Sequence, residues 1–261
     1  MELKIIQVDA FADRPFTGNP AAVMPLDAWL PDDILQAIAM ENNLSETAFT
    51  VPDPTGEADY ELRWFTPTTE VALCGHATLA SGHVLIARDE IRFRTRKAGV
   101  LAVRREGHGY ALDLPVTLVR EQAHAELIEV LGMPSATVFQ SYSGAEATAI
   151  VLVEDEAMVR ACAPDMKRLA AIDLMVIVTA RGRDIDVVSR VFVPAWGVDE
   201  DPVTGSAHAA LAPFWAQRLG RDSFSAFQAS RRGGHVECRL AGDRAVLGGR
   251  CVPVIEGVMR L

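Results

Sequence analysis

The sequence predicts an α+β fold built as two similar halves. Strand-like runs outnumber helical ones, and many are joined by short turns such as Glu106-Gly107-His108-Gly109 and Ala241-Gly242-Asp243. One device also occurs twice. The first copy reads Phe65-Thr66-Pro67, then Glu70, then Cys74-Gly75-His76-Ala77; the second reads Phe192-Val193-Pro194, then Glu200, then Thr204-Gly205-Ser206-Ala207. From the glutamates onward the spacing between copies is constant, and it is about half of the 261-residue chain. Such a repeat suggests two facing lobes, 1–116 and 117–261, with the last residues returning to the first. Each lobe would be a mixed sheet around a central helix, and the two helix N-termini would meet at the junction. Such ends carry unpaired N–H groups and partial positive charge, which suits an anion.

The elements follow from pattern. Alternating or β-branched runs predict strands at 4–9, 21–24, 46–51, 60–65, 101–105, 110–114, 149–152, 175–180, 186–192, 235–240 and 244–248. Ile34, Leu35 and Ile38 give 31–40 a helical face. A charged helical pattern at 121–131 follows the Pro-containing stretch 114–117, where one half would cross to the other. Two Ala- and Leu-rich stretches, 75–86 and 206–218, are apolar around most of their circumference, as buried helices are. Pro213 is a potential kink in the second.

Composition removes several function classes. Net charge is −10 and no run of five or six basic residues occurs, which argues against nucleic acid or an acidic membrane surface as partner. Arg92-Phe93-Arg94 and Arg231-Arg232 read as solvated faces. No stretch approaches 18 apolar residues and no export signal is visible, so a cytoplasmic setting is expected. The four cysteines, Cys74, Cys162, Cys238 and Cys251, show neither C-x-x-C nor zinc-like spacing, and the last three read as small buried residues. No Gly-rich loop of phosphate-binding type follows a strand. Neither metal nor cofactor is expected.

Three constellations remain. Glu46 lies between a helix end and a strand, in Asn43-Leu44-Ser45-Glu46-Thr47. It is either a surface or capping carboxylate, or a group that shuttles a proton in a partly dry cleft. Cys74-Gly75-His76 opens a helix, where a thiolate is stabilised and an imidazole can donate to a substrate carboxylate. The alternative is a buried thiol beside a structural histidine. Glu200-Asp201-Pro202-Val203-Thr204-Gly205-Ser206 supplies two carboxylates and two hydroxyls at another helix start. Ser206 and Thr204 are natural caps there, and the acids would complement the helix dipole. Trp64, Phe65, Phe192 and Trp196 are either core aromatics or cleft walls.

Together Val8-Asp9-Ala10-Phe11, Gly18-Asn19-Pro20-Ala21-Ala22-Val23, Asn43-Leu44-Ser45-Glu46-Thr47-Ala48-Phe49, Cys74-Gly75-His76-Ala77-Thr78, Glu200–Ala207 and Leu247-Gly248-Gly249-Arg250 span nearly the whole chain. They resemble the phenazine-biosynthesis isomerase (PhzF-like) family, of the diaminopimelate-epimerase-like superfamily. The resemblance implies two lobes, each a sheet rolled around a central helix, with the active site between them. It implies a cofactor-independent isomerase, dimeric by family habit, that acts on a small carboxylate-bearing substrate. Glu46 would be the acid/base, with His76 and Asp201 positioning the substrate and assisting proton transfer. Gly75, Gly205 and Ser206 would offer donors to a carboxylate. Epimerases of the superfamily use one cysteine from each lobe, whereas here Cys74 is matched by Thr204, too weak an acid to be the partner base. Three readings follow: an isomerase using Glu46, a racemase or epimerase using Cys74, and a binding protein that has lost the chemistry.

Overall fold

Much the same order of elements is laid down twice along the chain, the second pass preceded by an extra strand and helix and carrying two helices where the first has one. The computed structural model describes residues 1–144 and 146–261. The first pass runs β1 (Glu2–Ala10), β2 (Asn19–Pro25), α1 (Asp32–Asn42), β3 (Glu46–Pro52), β4 (Tyr60–Phe65), β5 (Glu70–Val71), α2 (Gly75–Leu85), β6 (Glu90–Thr95), β7 (Val100–Glu106) and β8 (Gly109–Pro115). The second runs β9 (Val119–Glu121), α3 (Ala125–Leu131), β10 (Thr137–Ser141), β11 (Thr148–Leu152), α4 (Glu156–Ala161), α5 (Met166–Leu169), β12 (Met175–Arg181), β13 (Val187–Val193), β14 (Val198–Asp201), α6 (Gly205–Leu219), β15 (Ser223–Gln228), β16 (Gly234–Ala241) and β17 (Arg244–Gly249). β18 (Cys251–Arg260) closes the chain by pairing antiparallel with β1. Contacts divide the chain into Met1–Asp113 with Gly248–Leu261, and Leu114–Leu247.

The pairing repeats with the order. β2–β3 is parallel, β3–β4 antiparallel, β4–β6 parallel and β6–β7 antiparallel. β11–β12, β12–β13, β13–β15 and β15–β16 repeat these senses one for one. Each unit is thus a mixed sheet with one long apolar helix, and a duplication inferred from few identities is a duplication of topology.

Side-chain alternation decides what each strand faces. In β3, Phe49 and Val51 pack with Leu35, Ile38 and Ala39 of α1, so Glu46, Ala48 and Thr50 turn to the opposite face, that of α2. In β12, Val176, Val178 and Ala180 join the core under α3, α4 and α5. Met175 and Thr179 turn instead to α6, where Trp215 donates to the Thr179 hydroxyl at 3.1 Å. Strands buried on both faces read as near-continuous apolar runs, which is why they were visible in the sequence.

The central helices survive two local difficulties. Gly82 of α2 lies against β7 so closely that a Cβ there would sit 2.5 Å from Val103 Cγ1. In α6, Pro213 cannot donate to the carbonyl of Ala209; the Thr117 backbone N–H takes that acceptor instead, at 3.3 Å. The helix therefore runs unbroken from Gly205 to Leu219.

Several expectations require correction. The 121–131 pattern splits: Val119–Glu121 pairs as a strand with β10, and the helix starts only at Ala125, with the His124 ring accepting from Leu127 N–H. Strands β5, β6, β9, β10, β14, β15 and β18 and helices α4 and α5 were not expected; β5, β9, β14 and α5 are very short and β6 is rich in charge. The basic patch Arg92-Phe93-Arg94 is a stretch of β6, with Arg92 exposed and Phe93 buried. Cys162 and Cys238 are buried as expected, Cys251 is only partly so, and burial lifts the Cys162 thiol to about 11.

His208, fully buried in α6, sets a pH limit on the fold. Its Nδ1–H donates to the Thr204 carbonyl at 2.8 Å, and Nε2 finds no hydrogen-bond partner among the described residues. Burial pulls its pKa from 6.5 down to about 4. Above pH 6.5 neither folded nor unfolded chain binds this proton. Below it the unfolded chain does and the native chain does not, so stability falls as pH drops toward 4, by up to about 3 kcal/mol. The matching residue in the first unit is Thr78, whose hydroxyl donates to the Cys74 carbonyl at 2.6 Å. Urea midpoints at pH 7 and pH 4.5 are expected to differ less in His208→Thr than in the wild type.

Candidate active site

Glu46 opens β3 and His76 is the second residue of α2, and the face assignment above brings them together. Glu46 Oε2 lies 3.1 Å from His76 Nε2, with the imidazole almost wholly buried and the carboxylate 17% exposed. The other ring nitrogen, Nδ1, is 3.1 Å from the Asn19 amide nitrogen and 3.5 Å from Cys74 Sγ. Both neighbours can donate, so Nδ1 acts as acceptor. The ring proton then sits on Nε2, the nitrogen 3.1 Å from the carboxylate oxygen. Cys74 is the residue just before α2, in extended conformation, and its thiol makes no cap bond. In the first turn, the N–H groups of Gly75, His76 and Ala77 have no acceptor within the helix.

Asn19 belongs to the Gly18–Val23 motif, from which no site residue is expected. It is fully buried, and the loop before it is held in an unusual conformation. Gly18 has φ +66°, and a Cβ there would lie 2.2 Å from the Ala10 carbonyl oxygen. Phe16, at φ 72°, donates its N–H to the buried Asp9 carboxylate at 2.8 Å. Gly18→Ala is therefore expected to destabilise the protein by about 2 kcal/mol or more, read as a lower denaturant midpoint.

The second unit carries a different set at the matching helix start. Thr204 is the residue before α6, but its hydroxyl does not cap the helix; it donates to the Asp201 carboxylate. Ser206 is likewise not a cap but the second residue of the helix, corresponding to His76, and its hydroxyl lies 3.8 Å from the sulfur of Met175. The expectation that these two hydroxyls cap the helix is corrected: the acceptors they reach are a carboxylate and a thioether. The fully buried Gln228 locks the turn: its Oε1 accepts from Thr204 N–H at 2.9 Å and its amide donates to the Asp201 carbonyl at 2.7 Å. Gly205 is the first residue of α6 as Gly75 is of α2.

Register makes the two sites formal counterparts. Glu46 stands opposite Ala21 at the start of a parallel pair, and Met175 opposite Thr148 at the start of the equivalent pair. Glu46 reaches His76, and Met175 reaches Ser206. The acid, imidazole and thiol of the first unit are thus matched by a thioether and two hydroxyls.

A second pair of counterparts escaped the sequence reading. Arg63 donates Nε and an Nη to the two oxygens of Glu70, each at 2.8 Å, and stacks 5.0 Å from the Phe65 ring. Arg190 does the same with Glu200, at 2.7 and 2.9 Å, and stacks 5.0 Å from Phe192. The signal was present as an arginine two residues before each repeated phenylalanine. Trp64, Phe65 and Phe192 are core residues, whereas Trp196 is 37% exposed and donates to Asp173.

The sequence profile of the phenazine biosynthesis-like protein family matches residues 8–257. The chain belongs to that family. An uncharacterized isomerase of Pseudomonas aeruginosa is 52% identical over 268 residues, covering all of both chains. The crystal structure of a PhzF-family phenazine biosynthesis protein from Enterococcus faecalis superposes with a TM-score of 0.91 at 42% identity, again over both whole chains. A hydroxyproline epimerase from Agrobacterium vitis, at 15% identity and TM-score 0.62 over 98% of this chain and 92% of its own, shares the fold alone. The phenazine biosynthesis-like chain is an isomerase-class enzyme of the α+β, diaminopimelate-epimerase-like fold. Among its described residues no helix is long and apolar enough to cross a membrane.

Proposed function

We propose that the protein is a cofactor-independent isomerase that moves a proton within a small carboxylate-bearing substrate, with Glu46 as the acid/base. One observation carries this reading. Glu46 is held 3.1 Å from an imidazole N–H, while the corresponding place in the second unit holds Met175, which cannot transfer protons. A single acid/base suits a reaction that lifts a proton from one carbon and returns it to another of the same substrate.

His76, with a proton on Nε2, lies beside the carboxylate and donates to the substrate as Glu46 takes up the proton. Negative charge that develops on the substrate needs fixed donors, each worth on the order of 3 kcal/mol where such donors have been removed. Gly75 offers a backbone N–H, and Gly205 and Ser206 offer an N–H and a hydroxyl. Asp201, held by Thr204, positions a polar group of the substrate.

Solvent deuterium wash-in into a panel of small unsaturated or cyclic carboxylic acids tests the reading, since an acid/base exposed to water exchanges its proton between turnovers. No wash-in into any acid that binds would refute it. Asn19→Ala, which frees Nδ1 and the ring orientation, is expected to slow exchange about tenfold, the worth of one hydrogen bond.

Racemisation through Cys74 is the second reading, favoured by the thiol's 3.5 Å approach to His76. It meets the difficulty that Thr204 replaces the second thiol. It predicts wash-in at a stereocentre that vanishes with Cys74→Ser.

A further inference from the structure

We infer that Glu46, Cys74 and His76 form a binding site for a soft divalent cation, Zn²⁺ or Co²⁺, and that filling it takes the acid/base out of service. Cation binding needs only the three side chains and no substrate, whereas the loss of acid/base function rests on the isomerase reading above.

A carboxylate oxygen, a thiol sulfur and an imidazole nitrogen from these residues all lie within 4.8 Å of one another. Among the described residues no other trio of His, Cys, Asp and Glu has its ligand atoms gathered this closely. Zinc binds nitrogen and oxygen at about 2.0–2.2 Å and sulfur at about 2.3 Å in tetrahedral geometry, which places ligand atoms roughly 3.3–3.6 Å apart. The Glu46–His76 and Cys74–His76 approaches, 3.1 and 3.5 Å, are already of that size. The two contacts use different ring nitrogens. A cation on one nitrogen therefore keeps one partner in place and draws the other side chain in by a rotamer change.

Charge balances as well. The thiol gives its proton to solvent, and the thiolate and carboxylate then neutralise the dication. The start of α2 repels a cation but stabilises the thiolate that binds it. Sulfur and imidazole select Zn²⁺ or Co²⁺ over Mg²⁺ and Ca²⁺. Three protein ligands leave a fourth position for water, and the carboxylate that would move the substrate's proton is committed to the metal. The second unit offers Met175, Thr204 and Ser206 at the corresponding places, so one cation per chain is expected.

The test is titration of metal-free protein with Co²⁺, followed by its visible and near-ultraviolet absorption. One equivalent should produce tetrahedral d–d bands and a thiolate-to-cobalt charge-transfer band, displaced by Zn²⁺ and untouched by excess Mg²⁺. Cys74→Ser should abolish the charge-transfer band, and Glu46→Gln should weaken Co²⁺ binding at least tenfold. Thermal unfolding of both metal-free variants checks that they fold. A charge-transfer band that survives Cys74→Ser, six-coordinate spectra, or no uptake by wild-type protein would overturn the inference. None of these outcomes bears on deuterium wash-in, so the metal site and the isomerase reading fail separately.

Discussion

Glu46→Gln is expected to cut solvent-hydrogen exchange into substrate by about 10²–10⁴-fold, or roughly 3–5 kcal/mol of barrier, while leaving the fold and ligand binding intact. Glutamine keeps the shape, and the Asn19 contact to Nδ1 is untouched, so the strand start and the ring orientation persist. What it cannot do is take up a proton at neutral pH. Substrate dissociation constants measured beside wash-in rates separate loss of chemistry from loss of binding. A variant that binds weakly but exchanges normally would give Glu46 a binding role instead.

Removing Arg63 is expected to have the largest effect on stability. Its side chain is 3% exposed, grips Glu70 with two hydrogen bonds and Asp32 with a third, and lies between the Trp29 and Phe65 rings. The arginine's hydrogen bonds hold the Glu70 carboxyl below its usual range. Arg63→Ala leaves that carboxylate, still only 29% exposed, with the more exposed Arg96 as its remaining cation at 3.1 Å, and opens a gap beneath two aromatic faces. A loss of about 3 kcal/mol follows, at the lower end for a broken buried pair because water reaches Glu70. Arg63→Lys is expected to recover only part, since an ammonium cannot match the two-pronged contact. Chemical denaturation reads this as a lower midpoint at unchanged slope. The same depressed carboxyl makes the bridge a contribution present at neutral pH and lost as pH falls through the folded value of Glu70, so it adds to the acid sensitivity set by His208.

What could be read from the sequence, and what could not, divides along physical lines. β3 and β12 are buried on both faces, and their apolar runs announced them. α2 and α6 were betrayed by small and apolar residues around the whole circumference. β18 was hidden because Pro253 argues against a strand, yet Pro253 pairs with Val8 beside the register shift between Gln7 and Val8, and prolines in sheets are confined to such irregular places. β6 was masked by outward arginines read as a charge patch.

The candidate site divides the same way. Glu46, Cys74 and His76 stand out as reactive residue types at element boundaries, and the parallel β2–β3 pair and α2 bring them together. Asn19 and Gln228 are chemically ordinary amides. Their importance lies in what they touch, and a sequence does not record that. The equivalence of Glu46 with Met175 could be found only from strand register, because no local motif surrounds Met175.

One proton-transferring group, Glu46 in the first unit, carries the proposed chemistry. The most direct test compares Glu46→Gln with Cys74→Ser in one metal-free deuterium wash-in experiment on an acid that wild-type protein exchanges. Loss of exchange in Glu46→Gln, with Cys74→Ser within about tenfold of wild type, is the predicted result. Exchange that survives Glu46→Gln but disappears in Cys74→Ser would contradict it and make the thiol the base.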